Sequence, residues 1–362
     1  MDFWNCYQGK KVLITGDTGF KGSWLSIWLK QLGAEVYGYS LAPYSEHDNF
    51  AVCNLQEEID HHEGDMRDAA SLKAYFQKVQ PDIAFHLAAQ PLVLLSYKEP
   101  AATFETNLMG VVNFFEAVRQ TSSVKAAINV TSDKCYDNRE WVWGYRENDP
   151  MGGKDPYSAS KGCAELITSS YINSYFSVEN ACAVASGRAG NVIGGGDWAA
   201  DRIVPDFFRA VNSGETLHLR NPNATRPWQH VLEPLSGYLT LGAMLFLQGK
   251  KFSGGWNFGP SDSNNYPVKE LIDQLNSITG LGNYTVDENQ EKLHEANFLK
   301  LDVSKSVNYL GWRSLLNFEQ TVKFTAEGYE ADRKQHSILN SRIKQIHDYT
   351  QQARNKVSWA FV

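Results

Sequence analysis

Tyr157 and Lys161 stand four residues apart in Tyr157-Ser158-Ala159-Ser160-Lys161. On a helix that spacing puts both on one face. A tyrosine hydroxyl titrates near ~10 and is a poor base at neutral pH. A neighbouring ammonium stabilises the phenolate and brings it into a useful range. Ser132 follows the β-branched run Ala126 to Thr131, at the end of a strand, where an open parallel sheet forms its crevice. The three types suit removal of a hydroxyl proton coupled to hydride transfer. Ser132 holds the reacting oxygen, Tyr157 takes its proton, and Lys161 tunes Tyr157. Asp133 and Lys134 come next in the chain and add a carboxyl group and an amine for further acid–base steps.

Hydride transfer needs an acceptor. Gly16, Gly19 and Gly22 form GxxGxxG between the run Lys11-Val12-Leu13-Ile14-Thr15 and a helical pattern from Ser23 to Leu32. Glycines there allow a tight turn and let the backbone approach a pyrophosphate, which the positive helix N-terminus favours. Gly16, Gly19, Phe20 and Gly22 are therefore expected to touch a dinucleotide. Ser40 ends the second strand, and Asp65, beside Met66, could accept from the adenine amino group. Leu87, Ala88 and Ala89 are small or apolar at the end of the fourth strand and permit close approach of the cofactor. No acidic residue closes the second strand at Tyr39-Ser40, and no arginine follows it. The choice between NAD and NADP is thus weakly encoded.

The elements that must carry these residues read as α/β. Strands are expected at 11–15, 35–39, 82–88 and 126–131, with helical patterns between them. Such alternation implies right-handed crossovers and a parallel sheet covered on both faces. The expectation is a Rossmann-type doubly wound parallel sheet with a smaller mixed α/β substrate-binding lobe. Residues 1–188 form the dinucleotide domain, to which 229–255 returns through a long helix at Glu233 to Leu247. Residues 189–228 and 256–362 form the second lobe.

The chain of 362 residues is 43% hydrophobic and 21% charged, which excludes collagenous, coiled-coil and disordered classes. Thirty-four Lys and Arg against 41 Asp and Glu give a net charge of −7. That balance argues against nucleic-acid binding. No basic leader precedes an apolar run, and no stretch approaches the ~20 residues that span a bilayer. Five scattered cysteines without CxxC spacing suggest neither disulfides nor zinc, and the adjacent His61 and His62 point to opposite faces of a strand. A cytoplasmic, reduced protein without membrane contact or metal is expected.

Taken together, Gly16-Asp17-Thr18-Gly19-Phe20-Lys21-Gly22, His86-Leu87-Ala88-Ala89, Ser132 and the Tyr157/Lys161 pair resemble the short-chain dehydrogenase/reductase superfamily, in its extended, nucleotide-sugar-modifying branch. The resemblance runs over nearly the whole chain. Thr131-Ser132-Asp133-Lys134-Cys135-Tyr136-Asp137-Asn138 is similar to the version found in CDP-glucose 4,6-dehydratases, where lysine replaces the glutamate of dTDP-glucose dehydratases. Residues 143–148, 187–198 and 226–234 match that family closely.

The resemblance implies bound NAD, with Lys161 also anchoring its ribose, and CDP-glucose as substrate. Oxidation at C4 makes the C5 hydrogen acidic, water leaves across C5 and C6, and the hydride returns to C6. Asp133 is then the acid toward the C6 oxygen and Lys134 the base at C5, two roles that could be exchanged. Arg202, Arg209, Arg220 and Arg226 are candidates for the diphosphate, since guanidinium forks suit phosphate oxygens. By resemblance Asn191 and Arg226 are its main contacts, and Asn257 another. Related dehydratases often carry a basic residue in the loop after Gln90, whereas Pro91 to Leu95 has none. The branch also implies a homo-oligomer, dimer or tetramer, commonly through two helices, and deoxysugars for surface polysaccharide; the apolar positions in Leu108 to Val118 and Ala164 to Tyr175 suit such a contact and ordinary packing on the sheet equally. Two other readings stand beside this one. A 4-epimerase needs Ser132, Tyr157 and Lys161 but not Asp133 and Lys134. A cofactor-sensing protein on the same fold would commonly lack the Tyr/Lys pair.

Overall fold

The β-branched runs become strands β1 (Lys11–Thr15), β2 (Glu35–Ser40), β3 (Asp60–Glu63), β4 (Ile83–His86), β5 (Ala126–Val130), β6 (Ala183–Arg188) and β7 (Gly254–Asn257). They form one sheet in the order β7-β6-β5-β4-β1-β2-β3, parallel throughout. The structure, a computed structural model, describes residues 3–260, 265–286, 299–334 and 337–356. Strand order reverses between β1 and β4, so a crevice opens beyond their carboxyl ends. The register lines those ends up, with Thr15 beside Tyr39 and His86, and Val130 beside Gly187.

The helices used below are α1 (Phe20–Gln31), α2 (Ala69–Val79), α3 (Gly110–Arg119), α4 (Pro156–Ser174), α5 (Ile203–Ser213), α6 (Leu232–Gln248), α7 (Val268–Thr279), α8 (Phe318–Lys334) and α9 (Ile338–Lys356). α1 begins three residues before the apolar pattern predicts. Gly19, extended at φ −73°, ψ 166°, starts it without any side-chain cap. α4 starts from Asp155, whose carboxylate accepts from Ser158 N at 2.9 Å, with Pro156 at the first helical position.

Three large apolar clusters hold the described residues together, beside a small fourth around Tyr136 and Tyr145. One lies between β1, α1 and α6, with Trp24, Leu25, Trp28, Leu235 and Leu239 fully or almost fully buried. The second packs Leu72, Phe76, Phe114 and Phe115 of α2 and α3 on the other sheet face. The third joins Phe207 and Phe208 of α5, Leu271 and Leu275 of α7, and Val322 and Tyr329 of α8. It is the core of the second lobe. Helix α6 is buried on nearly every side, as an apolar pattern all round the helix requires.

The division between lobes differs from the sequence expectation at two places. β7 pairs with β6 through Asn257, so the return to the main sheet passes residue 255. α9, expected in the substrate lobe, packs on the dinucleotide side: Ile346, Tyr349 and Ala353 join the first cluster, and Tyr349 meets Trp28 edge-on at 5.7 Å. There its apolar residues meet the apolar face of α1. Among the described residues no helix is long and apolar enough to cross a membrane, and no group of three or more His, Cys, Asp or Glu could hold a metal ion.

Candidate active site

β5 ends at Val130, and the chain turns through Thr131 and Ser132 into one 3-10 turn, Asp133–Cys135. The Ser132 hydroxyl starts that turn, accepting from Lys134 N at 3.2 Å and donating to Asp133 Oδ1 at 2.9 Å. Asp133 is only 4% exposed, whereas Lys134 keeps partial access to solvent. Space for the Asp133 carboxylate comes from Gly190. A Cβ there would stand 2.0 Å from Oδ2.

Across the crevice α4 brings Tyr157 and Lys161, both buried, with the ammonium 6.0 Å from the centre of the Tyr157 ring. Burial pushes Tyr157 up to about 12, against the opposing pull of a Ser132 hydrogen bond; Asp133 raises it and Arg202 lowers it. Burial pushes Lys161 down to about 8, with the charge of Glu165 resisting. Ser132, Asp133 and Tyr157 thus form one electrostatic unit at the end of β5, with Lys161 beside the Tyr157 ring; burial raises Tyr157, where the sequence leads one to expect it lowered.

That unit is held from behind. Tyr157 N donates to Ser96 Oγ at 3.2 Å, and Ser160 Oγ bridges Tyr157 O at 2.7 Å and Asn107 Nδ2 at 2.8 Å. One turn beyond Lys161, the Glu165 carboxylate accepts from Arg188 Nη2 at 2.7 Å, from Ser186 Oγ at 2.6 Å and from Thr131 Oγ1. Arg188 Nη1 donates onward to Tyr136 OH at 2.6 Å and Glu147 O at 3.1 Å. The network draws Arg188 from the 187–198 string and the Glu147 carbonyl from the 143–148 string.

The sequence candidates for the substrate side fall in different places. Arg202 Nη1 bridges both Asp197 oxygens at 2.8 and 3.0 Å, and its charge reaches Tyr157. Asn191 is partly exposed, at a left-handed φ of 52°, and its backbone O accepts from Gln229 N. Arg226 lies in a short antiparallel ladder and donates to Thr225 O at 2.9 Å. Arg209 binds Trp198 O and Ala199 O at 2.8 and 3.2 Å and pairs with Asp206, while Arg220 stands 4.0 Å from Asp201. These last two brace the 198–202 loop rather than the Asp133–Cys135 turn. Asn257 is a correction. It is fully buried, its amide donates to Tyr145 O and Asp302 O, and its oxygen accepts from Tyr136 OH at 2.7 Å. No amide hydrogen remains for a diphosphate.

On the dinucleotide side, Gly16 has φ +77°, and a Cβ there would lie 2.5 Å from Ala88 N; one at Gly22 would lie 2.0 Å from Gly16 O. Packing alone therefore demands glycine at both positions. Gly19 is different: it is exposed, and the α1 N-terminus beyond it has no side-chain cap and no acidic residue in its first turn. Phe20, Leu87, Ala88 and Ala89 are partly exposed around it. An uncapped helix start beside small, accessible residues fits a dinucleotide pyrophosphate. Asp65 is bound through both oxygens to Arg67, and Met66 is buried with its O accepting from Asn113. Ser40 is buried and donates to Asp17 Oδ1 at 2.8 Å.

Lys21 was not singled out by sequence. From the first turn of α1 its ammonium feels Arg202, Lys161, Asp133 and Asp197, and burial pushes it down to about 8. A lysine in a helix's first turn opposes the dipole, which is the signal that could have flagged it.

A family model described as GDP-mannose 4,6 dehydratase matches residues 13–325. The chain belongs to that family of nucleotide-sugar dehydratases. It is 47% identical to the CDP-glucose 4,6-dehydratase of Salmonella typhimurium, over 95% of this chain and 97% of the relative. GDP-mannose 4,6 dehydratase 1 of Arabidopsis thaliana is 28% identical, over 88% and 89%. Among solved structures, the UDP-glucose 4-epimerase of Thermus thermophilus in complex with NAD superposes with a TM-score of 0.76 at 24% identity, over 88% of this chain and 99% of that one. The Thermotoga maritima UDP-glucose 4-epimerase with UDP-glucose gives 0.75 at 23%, over 88% and 98%. Both share the fold.

Proposed function

We propose that this chain is a lyase converting CDP-glucose to CDP-4-keto-6-deoxyglucose and water, with a resident NAD. The observation that carries the reading is Asp133, a buried acid bonded to Ser132 within the Tyr157/Lys161 unit. An epimerase would use Ser132, Tyr157 and Lys161 and have no work for that acid.

A bound nicotinamide dinucleotide supplies the hydride acceptor for C4 and the hydride donor for C6. The chain does the rest. Tyr157 removes the C4 hydroxyl proton while Ser132 holds that oxygen, and Lys161 stabilises the phenolate form of Tyr157 and anchors the nicotinamide ribose. Lys134 takes the C5 proton, now acidic beside a ketone, and Asp133 protonates the departing C6 oxygen. Water leaves, Lys134 returns its proton to C5 as C6 is reduced, and no net redox change occurs. Gly16, Gly19, Phe20 and Gly22 hold the pyrophosphate. Ser40, Asp65, Met66, Leu87, Ala88 and Ala89 line the rest of the dinucleotide. Arg202, Asn191 and Arg226 receive the substrate diphosphate. The enzyme acts in the cytoplasm as a homo-oligomer, and its product feeds deoxysugar units of surface polysaccharide.

The test is incubation with CDP-glucose, without added reductant, followed by mass spectrometry. Loss of one water supports the reading; an isomer of unchanged mass points to the epimerase; no turnover rejects both.

A further inference from the structure

Strand β2 ends at Tyr39-Ser40, where a dinucleotide-binding sheet commonly places an acid for the adenosine ribose 2′-hydroxyl. A carboxylate reaches this place from elsewhere in the chain. Asp17, inside the glycine loop, is fully buried, and Ser40 Oγ donates to its Oδ1 at 2.8 Å. Its other oxygen lies 2.7 Å from His61 Nδ1 on β3. Gly38 makes the room: a Cβ there would stand 2.1 Å from Asp17 Oδ2. Thr18 Oγ1 lies 2.9 Å from Ser40 Oγ and donates to Leu41 O at 2.9 Å.

The arrangement fixes a hydroxyl. With its hydrogen given to Asp17, Ser40 acts as an acceptor: Thr18 N donates to it at 3.4 Å, and one lone pair is left for a further donor. A ribose 2′-hydroxyl can donate to it. A 2′-phosphate brings negative charge toward a buried carboxylate; Leu41-Ala42-Pro43 carries no Lys or Arg to offset it, and His61, whose proton Asp17 favours, sits on the carboxylate oxygen that Ser40 does not bind.

We propose that Asp17, a positioning residue acting through Ser40, makes this site select the dinucleotide with a free 2′-hydroxyl over its 2′-phosphate. The inference rests on the dinucleotide reading above and assigns its selectivity to a residue outside β2. Discrimination works by repulsion of the wrong ligand as well as attraction of the right one.

The test is calorimetric titration of the purified, nucleotide-stripped protein with NAD and, separately, NADP at pH 8. The parent should prefer NAD by at least ~100-fold, and Asp17→Asn should cut that ratio to about tenfold or less, chiefly by tightening NADP. Ser40→Ala should narrow the ratio as well; it decides the matter if the Asp17 variant does not fold. A merely structural role would weaken both ligands alike and leave the ratio unmoved. An unchanged ratio in a folded variant, or a parent that binds both within threefold, overturns the proposal. If the parent binds neither dinucleotide, the dinucleotide reading itself fails, and the inference with it.

Discussion

The Glu165 carboxylate and the Arg188 guanidinium meet at 2.7 Å with both side chains about 5% exposed or less, and Glu165 lies one turn beyond Lys161 on α4. The pair fastens α4 to the end of β6. Arg188 holds Glu165 ionised, against the upward push of burial. Breaking a buried pair by removing one partner costs ~3–5 kcal/mol, because the other charge is left uncompensated. Arg188→Met should therefore lower the denaturant midpoint sharply, and the double variant Arg188→Met/Glu165→Met should recover part of the loss. A double variant as unstable as the sum of the singles would show that the two do not act as a pair.

Tyr157→Phe removes the proposed base and keeps the ring. Turnover of CDP-glucose should fall by ~10²–10⁴-fold, while nucleotide affinity measured by tryptophan fluorescence stays near the parent value. Parent-like turnover would take the C4 proton away from Tyr157.

Asp133→Asn should separate the two halves of the reaction. With substrate deuterated at C4, transfer of the label to the cofactor should survive better than water loss in a single turnover. Equal damage to both would contradict the division between Tyr157 and Asp133.

Gly190→Ala tests the same acid from its other side. The new methyl would stand 2.0 Å from the Asp133 carboxylate, which is short, buried and bonded to Ser132, so it must swing away. Water elimination should drop by at least ~10-fold, an ångström-scale misplacement being costly in a positioned site. Unaltered kinetics would mean that the carboxylate does not need this position.

Glu233 predicts a pH dependence of stability. It is buried in α6 and accepts from Leu315 N, Leu316 N and Tyr349 OH at 2.9, 2.6 and 2.8 Å. Burial pushes it up to about 7 despite those donors. Between the unfolded value near ~4.3 and the folded one, the native state holds more protons than the unfolded chain. Stability should therefore fall as pH rises from ~4.5 to 7, by up to ~3 kcal/mol, and level off above. Glu233→Gln should remove this decline in urea titrations at several pH values; identical slopes for variant and parent would refute the assignment.

Local pattern made much of this legible. β1 occupies 11–15 as read, because a bounded β-branched run before a glycine turn has few alternatives. α6, read as 233–247, spans Leu232–Gln248. α1 was read three residues short, because a backbone cap at Gly19 leaves no side-chain signature. Long-range partnerships were hidden. Nothing near Asp17 announces His61, 44 positions away, and nothing near Asn257 announces Tyr136, 121 positions back. The arginines show the same limit: composition could count them, but only folding separates Arg202, whose charge reaches Tyr157, from Arg209, which braces a loop.

Helix α9 also shapes how the molecule comes into being. Its Arg342 guanidinium, wholly enclosed, donates to Asn49 Oδ1 at 2.9 Å and Gly328 O at 3.0 Å and pairs with Asp332, while its apolar face lies on α1. A ribosome making this chain delivers β1 and α1 more than 300 residues before the helix that covers them. The core on that side of the sheet must wait half-clothed until α9 emerges to cover it.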